Sequence, residues 1–102
     1  MTLRLVVRPE VDTDLHEAEA WYNQQEPGLG QKFLSAVLET IDRVFQNPFL
    51  YRVRQSRRQV RWAYTRRFPY RVVFKVKDDT VVVYAVLHGA RHDRHWKERV
   101  DS

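Results

Sequence analysis

Arginines, aromatic rings and imidazoles crowd the second half of this 102-residue sequence, and together they are suited to handling a polyanion. From Arg52 onward fourteen Lys or Arg stand against five Asp or Glu, whereas the stretch through Tyr51 holds four against eight. The densest basic cluster is Arg57, Arg58, Arg61, Arg66 and Arg67, with Lys75 a little further along. As phosphate contacts these residues would position a long polyanion without reading its sequence; as strand-edge charges they would only block aggregation. Trp62, Tyr64, Phe68, Tyr70, Phe74, Tyr84 and Trp96 are interleaved with the basic residues. Planar rings can receive unstacked bases, although Trp62 and Tyr64 fit core or strand-pair packing better. The same imbalance suits an acidic protein, so nucleic acid and an acidic partner both stand as expected ligands.

His88, His92 and His95, with Asp93 among them, have a spacing that would gather around a metal on one helix. Gly89 and the strand-like run before it interrupt any such helix, and neither a metal nor another cofactor is expected. Gly28 and Gly30 follow a helical segment, so they read as a helix-helix turn and not as a phosphate cradle. Neither Ser35 nor Ser56 has the His and Asp companions of a nucleophilic triad. The absence of cysteine removes disulfides, thiol nucleophiles and thiolate zinc sites, and fits a reducing cytoplasm. No apolar run approaches the length of a membrane span or signal peptide, so no membrane partner is expected. A content of 43% hydrophobic and 30% charged residues is enough for one core in a single domain spanning residues 1–102.

The elements that must position these groups follow from periodicity. Leu3 to Arg8 reads as a strand ending at Pro9 and feeding a helix. From Glu10 to Gln25, Val11, Leu15, Ala18 and Tyr22 form one helical stripe, with early acids favoured by the helix dipole. Glu26 to Gly30 breaks that pattern, and a broader apolar face from Gln31 to Gln46 predicts a second helix stopped by Asn47-Pro48. The short break makes the two an antiparallel hairpin. Tyr51 to Arg57 lacks periodicity and reads as a loop. Three strand-like runs follow at Arg58–Thr65, Tyr70–Lys77 and Thr80–His88, the last apolar enough to be covered on both faces. The fold class is thus α+β: an N-terminal strand, a two-helix hairpin on one face of a three- to four-stranded, mainly antiparallel sheet, and a short C-terminal helix or tail.

A two-residue turn at Asp78-Asp79 would pair Arg71 with Val86, Val73 with Tyr84 and Lys75 with Val82. Arg71, Lys75, Tyr84 and His88 would then share one face. Tyr70, Val72, Phe74 and Val76, with Val81, Val83, Ala85 and Leu87, would form the other, against the helices. A change of one residue in register inverts the assignment.

Several segments, in order over nearly the whole chain, resemble the RelE/ParE superfamily of bacterial type II toxins. They are Trp21-Tyr22 through Gln25, Pro27-Gly28-Leu29-Gly30, Phe33-Leu34, Asn47-Pro48, Arg66 through Phe74, and Ala85-Val86-Leu87-His88-Gly89-Ala90-Arg91. The resemblance implies a compact toxin silenced by a cognate antitoxin, in a toxin-antitoxin hetero-oligomer. RelE-like members cleave messenger RNA on the ribosome, whereas ParE-like members inhibit DNA gyrase without known nuclease chemistry. Arg71 matches the arginine that opens the central strand of the RNA cutters, and Arg91 the arginine just past the final strand. Trp62 and Tyr64 stand where RelE-type cutters carry lysines, and Trp96-Lys97 where they carry a catalytic tyrosine. The Val86-Leu87-His88 ending is similar to the ParE branch.

Cutting RNA through its own 2′-hydroxyl needs a base, cationic donors for the crowded phosphate, and an acid for the leaving 5′-oxygen. On that reading Arg71 and Arg91 hold the phosphate. His88 moves the proton, with Tyr84, His92, His95 and Trp96 as possible accessories. The competing roles are a backbone-bonded strand-end histidine for His88 and acidic-antitoxin contacts for Arg71 and Arg91. The first expectation is therefore an endoribonuclease acting on ribosome-bound mRNA, the second a non-enzymatic gyrase inhibitor, and the third a basic module for an acidic protein.

Overall fold

The computed structural model describes residues 2–102. Strand β1 (Arg4–Val7) leads through Pro9 into α1 (Glu10–Gln25), followed by α2 (Leu29–Gln46) and a 3-10 turn at Pro48–Leu50. Then come β2 (Val53–Gln55), β3 (Val60–Tyr64), β4 (Tyr70–Lys77), β5 (Thr80–His88) and α3 (Arg94–Asp101). The five strands form one sheet in the order β1-β5-β4-β3-β2, with β1 parallel to β5 and the remaining pairs antiparallel. This is the expected α+β architecture with one more strand. Tyr51 to Arg57 is not all loop, because Val53 pairs with Arg61 and Gln55 with Val60. So short an edge strand is held by backbone bonding and carries no side-chain alternation to announce it. β3 starts at Val60, later than Arg58, because residues 56–59 turn, with Gln59 in the left-handed region at φ 56°.

Pro9 caps α1 with a φ of −57°, already helical, at a position where its missing N–H is no loss. Glu10 and Asp12 occupy the first turn, on the side of the dipole that favours anions. The break between the helices is shorter than Glu26 to Gly30. Gly28 alone takes the left-handed conformation, at φ 89°, and α2 begins at Leu29. Gly30 lies inside the helix and lets the two helices touch. A Cβ there would stand 2.6 Å from the Glu19 carbonyl oxygen and 2.6 Å from Asn23 Nδ2. The bare Gly30 N–H instead donates to Asn23 Oδ1 at 2.8 Å, tying the hairpin at its closed end.

The hairpin packs its apolar stripe on one sheet face. Val11 and Ala18 of α1 and Phe33, Val37, Ile41 and Val44 of α2 meet Val72, Phe74, Val81, Val83 and Val86. The other face is not an open cationic surface. Val60, Val73, Ala85 and Leu87 form a second core there, closed by Trp96 of α3, which is fully buried. Covered on both sides, β5 is buried from Val81 to Leu87, as its apolar run predicts.

Asp78-Asp79 is the two-residue turn, and Lys75 pairs with Val82 as expected, but the register then breaks. Phe74 pairs with Val83 and Val73 with Ala85, so Tyr84 is an extra residue in β5. Val73 therefore does not face Tyr84, and Arg71 pairs with Leu87 in place of Val86. Past the bulge every β5 side chain is on the face opposite to that predicted: Ala85 and Leu87 join the second core, Val86 the first, and His88 follows Val86. Arg71 and His88 thus lie on opposite faces of the sheet.

Gly30→Ala is expected to cost about 1–3 kcal/mol, because a new methyl must displace backbone as well as Asn23. Urea denaturation checks it. A wild-type midpoint would show that the helices can separate freely at this point.

Candidate functional site

Where β1 ends, Arg8 N–H donates to the Val83 carbonyl at 3.0 Å, and beyond that point side chains meet the β5 backbone. Asp14 of α1 accepts the Val86 N–H at 3.0 Å, and Arg99 of α3 donates to the Tyr84 carbonyl at 3.1 Å. The two side chains also pair with each other, at 2.6 and 2.8 Å, in a bidentate contact. Hydrogen bonding to Asp14 raises the Arg99 pKa further above its ordinary value, against the effect of burial. Asp14 sits three residues after Val11 and four before Ala18, within the apolar stripe of α1. That placement among core residues was the one sequence signal that this acid does not face solvent.

The bulge turns His88 toward α1. A groove of about 420 Å³ lies there, lined by Asp14, Glu17, Trp21 and Tyr22 from α1 and by Tyr70, His88 and Arg91. His88 rests edge-on against Tyr70, with ring centroids 5.5 Å apart. Its Nδ1 accepts the Ala90 N–H at 3.0 Å, so in the neutral ring the proton is on Nε2. Burial raises the Tyr70 phenol above its ordinary value, partly opposed by Arg91, which leaves it a hydrogen-bond donor at neutral pH. Burial, then the nearby Tyr70, raises Tyr22 as well. Trp21, half exposed, forms the outer lip. The groove can take a side chain with an apolar body and a polar head; of its acids and α1 aromatics only Asp14, by its place in the stripe, and the Trp21-Tyr22 pair carried a sequence signal.

Arg71 is elsewhere and occupied. Its side chain is 4% exposed; Nη2 donates to Asp93 Oδ1 at 2.9 Å and to the Arg91 carbonyl at 3.0 Å. The guanidinium lies over the Trp62 ring, 4.6 Å from its centre, and Trp62 packs against Trp96. Burial pushes the Asp93 carboxyl up, but hydrogen bonding to Arg71 and the charges of Arg71 and Lys97 outweigh it and hold the pKa below the ordinary value. Arg91 lines the groove with His88, while its carbonyl serves Arg71.

The remaining predicted residues are dispersed. Tyr84 is buried, with Arg8 over its ring. His92 uses Nδ1 to accept the Arg94 N–H at the start of α3. His95 lies within α3, its pKa lowered by burial and then by Arg91 and other nearby arginines. A strand ending at His88 and a helix starting at Arg94 keep the three imidazoles off one helix. Arg58 pairs with Asp101, Arg66 with Glu39, and Arg61 donates to the Tyr51 carbonyl over the Phe49 ring. Arg67, at φ 70°, lines a wider groove of about 840 Å³ between α2 and the β3–β4 loop. Arg57 and Lys75 are near the Arg58–Asp101 pair, at the far end of the sheet from His88.

A family model described as "ParE toxin of type II toxin-antitoxin system, parDE" matches residues 5–93. The fold is similar to a solved chain described as "Chromosomal ParDE TA system from P. aeruginosa", with a TM-score of 0.76. The two are 18% identical, over 85% of this chain and 96% of that one, so the likeness is one of fold. No curated protein sequence matches.

Arg71→Ala is expected to destabilise the fold by about 2–4 kcal/mol, through loss of a buried ion pair and of the ring contact, as read by urea denaturation. Because the folded Asp93 pKa is depressed, the pair's contribution is full above the ordinary carboxyl value of about 3.9 and is lost as pH falls through the lowered value. Asp93→Asn should therefore be less stable than wild type at neutral pH, with the gap closing in acid. A gap that stays constant with pH would show that the pair contributes nothing through charge.

Proposed function

Because the chain belongs to the ParE toxin family of type II toxin-antitoxin systems, we propose that it arrests growth by binding and blocking DNA gyrase, and not by cutting RNA. The observation that carries this reading is the separation of the groups an RNA cutter would need. Arg71 is buried with its Nη2 on Asp93 and the Arg91 carbonyl, while His88 opens on the α1 side of the sheet. Transition-state stabilisation requires donors aimed at the atom where charge develops. A buried guanidinium already held by a carboxylate and a carbonyl, with the proton-transfer group on the other face, does not meet that requirement. The groove at His88 is suited to grip a macromolecular target.

One observation favours the RNA-cutting alternative: His88 and Arg91 do line the same groove. It lacks a second cation there, and Tyr70 beside them is held in its protonated form.

The antitoxin is of the ParD type, in keeping with the ParDE description of the similar structure, and forms a hetero-oligomer with the toxin. Among the described residues no helix is long and apolar enough to cross a membrane.

Metabolic labelling separates the two mechanisms. Soon after induction without antitoxin, thymidine incorporation is expected to fall while methionine incorporation continues. The purified protein should also block supercoiling of relaxed plasmid by gyrase, and antitoxin should restore it. Early loss of protein synthesis, with cleaved mRNA and intact supercoiling, would replace this mechanism with the nuclease one.

A further inference from the structure

We infer that the outer end of the sheet, where the β2–β3 turn meets the end of β4, binds the phosphate backbone of duplex DNA, through Arg54, Arg57, Lys75 and Lys77. The site is remote from the His88 groove and does not depend on the choice of gyrase as target.

The first support is a census of charge. Five of the eleven arginines of the basic half are committed within the fold: Arg58 to Asp101, Arg66 to Glu39, Arg71 to Asp93 and Arg99 to Asp14, with Arg61 on the Tyr51 carbonyl. Arg54, Arg57, Lys75 and Lys77 form no ion pair among the described residues. These uncommitted cations converge. The Arg61–Phe74 pairing brings Lys75 to the start of β3, next to the turn that carries Arg57 and Arg58. Burial lowers the Lys75 pKa, and the charges of Lys77 and Arg58 lower it further, as expected where positive charge accumulates. Asp101 is held below its ordinary value by its hydrogen bond to Arg58, with further help from the charges of Arg58, Arg57 and Lys75. One carboxylate thus faces three cations, with Lys77 two residues beyond Lys75 in the same strand.

The second support is preorganisation. Within the β2–β3 turn the Arg58 N–H donates to Gln55 Oε1 at 2.7 Å, and Gln59 Nε2 donates to the Ser56 carbonyl at 2.7 Å. Arg57 is therefore presented from a stapled loop, which reduces the ordering cost of a contact.

The third support concerns the kind of polyanion. Neither of the two grooves described above includes any of these four residues, so neither supplies an apolar anchor to an acidic peptide docked here. Single-stranded RNA would look for a free aromatic face. Trp62 has Arg54 over it at 5.5 Å and Arg71 at 4.6 Å, and Trp96 is fully buried. Cations without a stacking platform fit a backbone of regularly spaced phosphates whose bases remain stacked.

The test is fluorescence anisotropy of a labelled mixed-sequence duplex titrated with the free toxin over a series of salt concentrations. Three to four phosphate contacts predict a slope of log K against log salt of about −3. Arg57→Glu combined with Lys75→Glu is expected to weaken binding by at least about tenfold at low salt and to flatten the slope by about 2. Arg66→Glu combined with Arg67→Glu changes net charge equally at the other end of β3, and should weaken binding by less than about threefold. Asp101→Asn releases Arg58 and should tighten binding. Equal losses in both double variants would reduce the interaction to bulk charge and overturn the site. Absence of duplex binding, or displacement of the duplex by single-stranded RNA at lower concentration than by unlabelled duplex, would overturn it too. Thermal melting of each variant confirms that the comparison is between folded proteins.

Discussion

Where β1 ends, β5 is left with backbone groups that no neighbouring strand meets, and the Asp14–Arg99 pair that meets them ties the first helix to the last. A buried peptide group without a partner costs about 1–3 kcal/mol, so this stretch of β5 is tolerable only with such an arrangement. Asp14 is itself almost fully buried, at 7% exposure, and would be intolerable without Arg99. This edge of β5 and the ion pair come together from positions 14, 84, 86 and 99, next to the bulge. What they control is orientation: the bulge changes the face of every β5 side chain that follows, sends Ala85 and Leu87 into the second core, and points His88 toward α1.

The same logic organises the C-terminal segment. α3 and the turn before it are fastened by three Arg–Asp pairs, Arg71–Asp93, Arg99–Asp14 and Arg58–Asp101, with Trp96 inserted among Val60, Val73, Ala85 and Leu87. A helix of eight residues has little stability of its own and depends on such contacts. Much of the basic excess in the second half is consequently internal adhesive. Arginine suits that work because its planar fork satisfies a carboxylate and a carbonyl together while its flat face rests on an indole, as Arg71 does with Asp93, Arg91 and Trp62.

The sequence made the layers and most of the strands legible because each had a period. Val11 and Ala18 lie at helical spacing, Tyr70 to Lys77 alternates, and the continuous apolar run of β5 marks a strand covered twice. β2 was hidden because three residues on a sheet edge need no hydrophobic pattern. The site was misread at a single point. Asp78-Asp79 does make the two-residue turn, and the expected pairing holds through Phe74, but nothing in Val83-Tyr84-Ala85 marks a bulge, since all three are apolar and all are buried. A register fixed at the turn was carried past the place where it changed. Arg71 and His88 were thereby assigned to one face, although each residue lies in the strand the sequence gives it.

Residue type and strand position are therefore insufficient to identify a phosphate clamp; the acceptors already within reach decide the role. Arg71 has the chemistry and the strand to hold an anion, but Asp93 and a carbonyl are there first, at 2.9 and 3.0 Å, behind a helix. An incoming phosphate would have to displace a charged acceptor that is fixed by the fold and thus carries no association entropy. Arg57, exposed on the β2–β3 turn, differs, since Asp101, the carboxylate it helps to hold ionised, is already engaged by Arg58 and leaves it unpaired. Two arginines of identical chemistry are thereby left in opposite states, one held in the core and one unpaired at the surface, by where the few acids of the basic half happen to be placed.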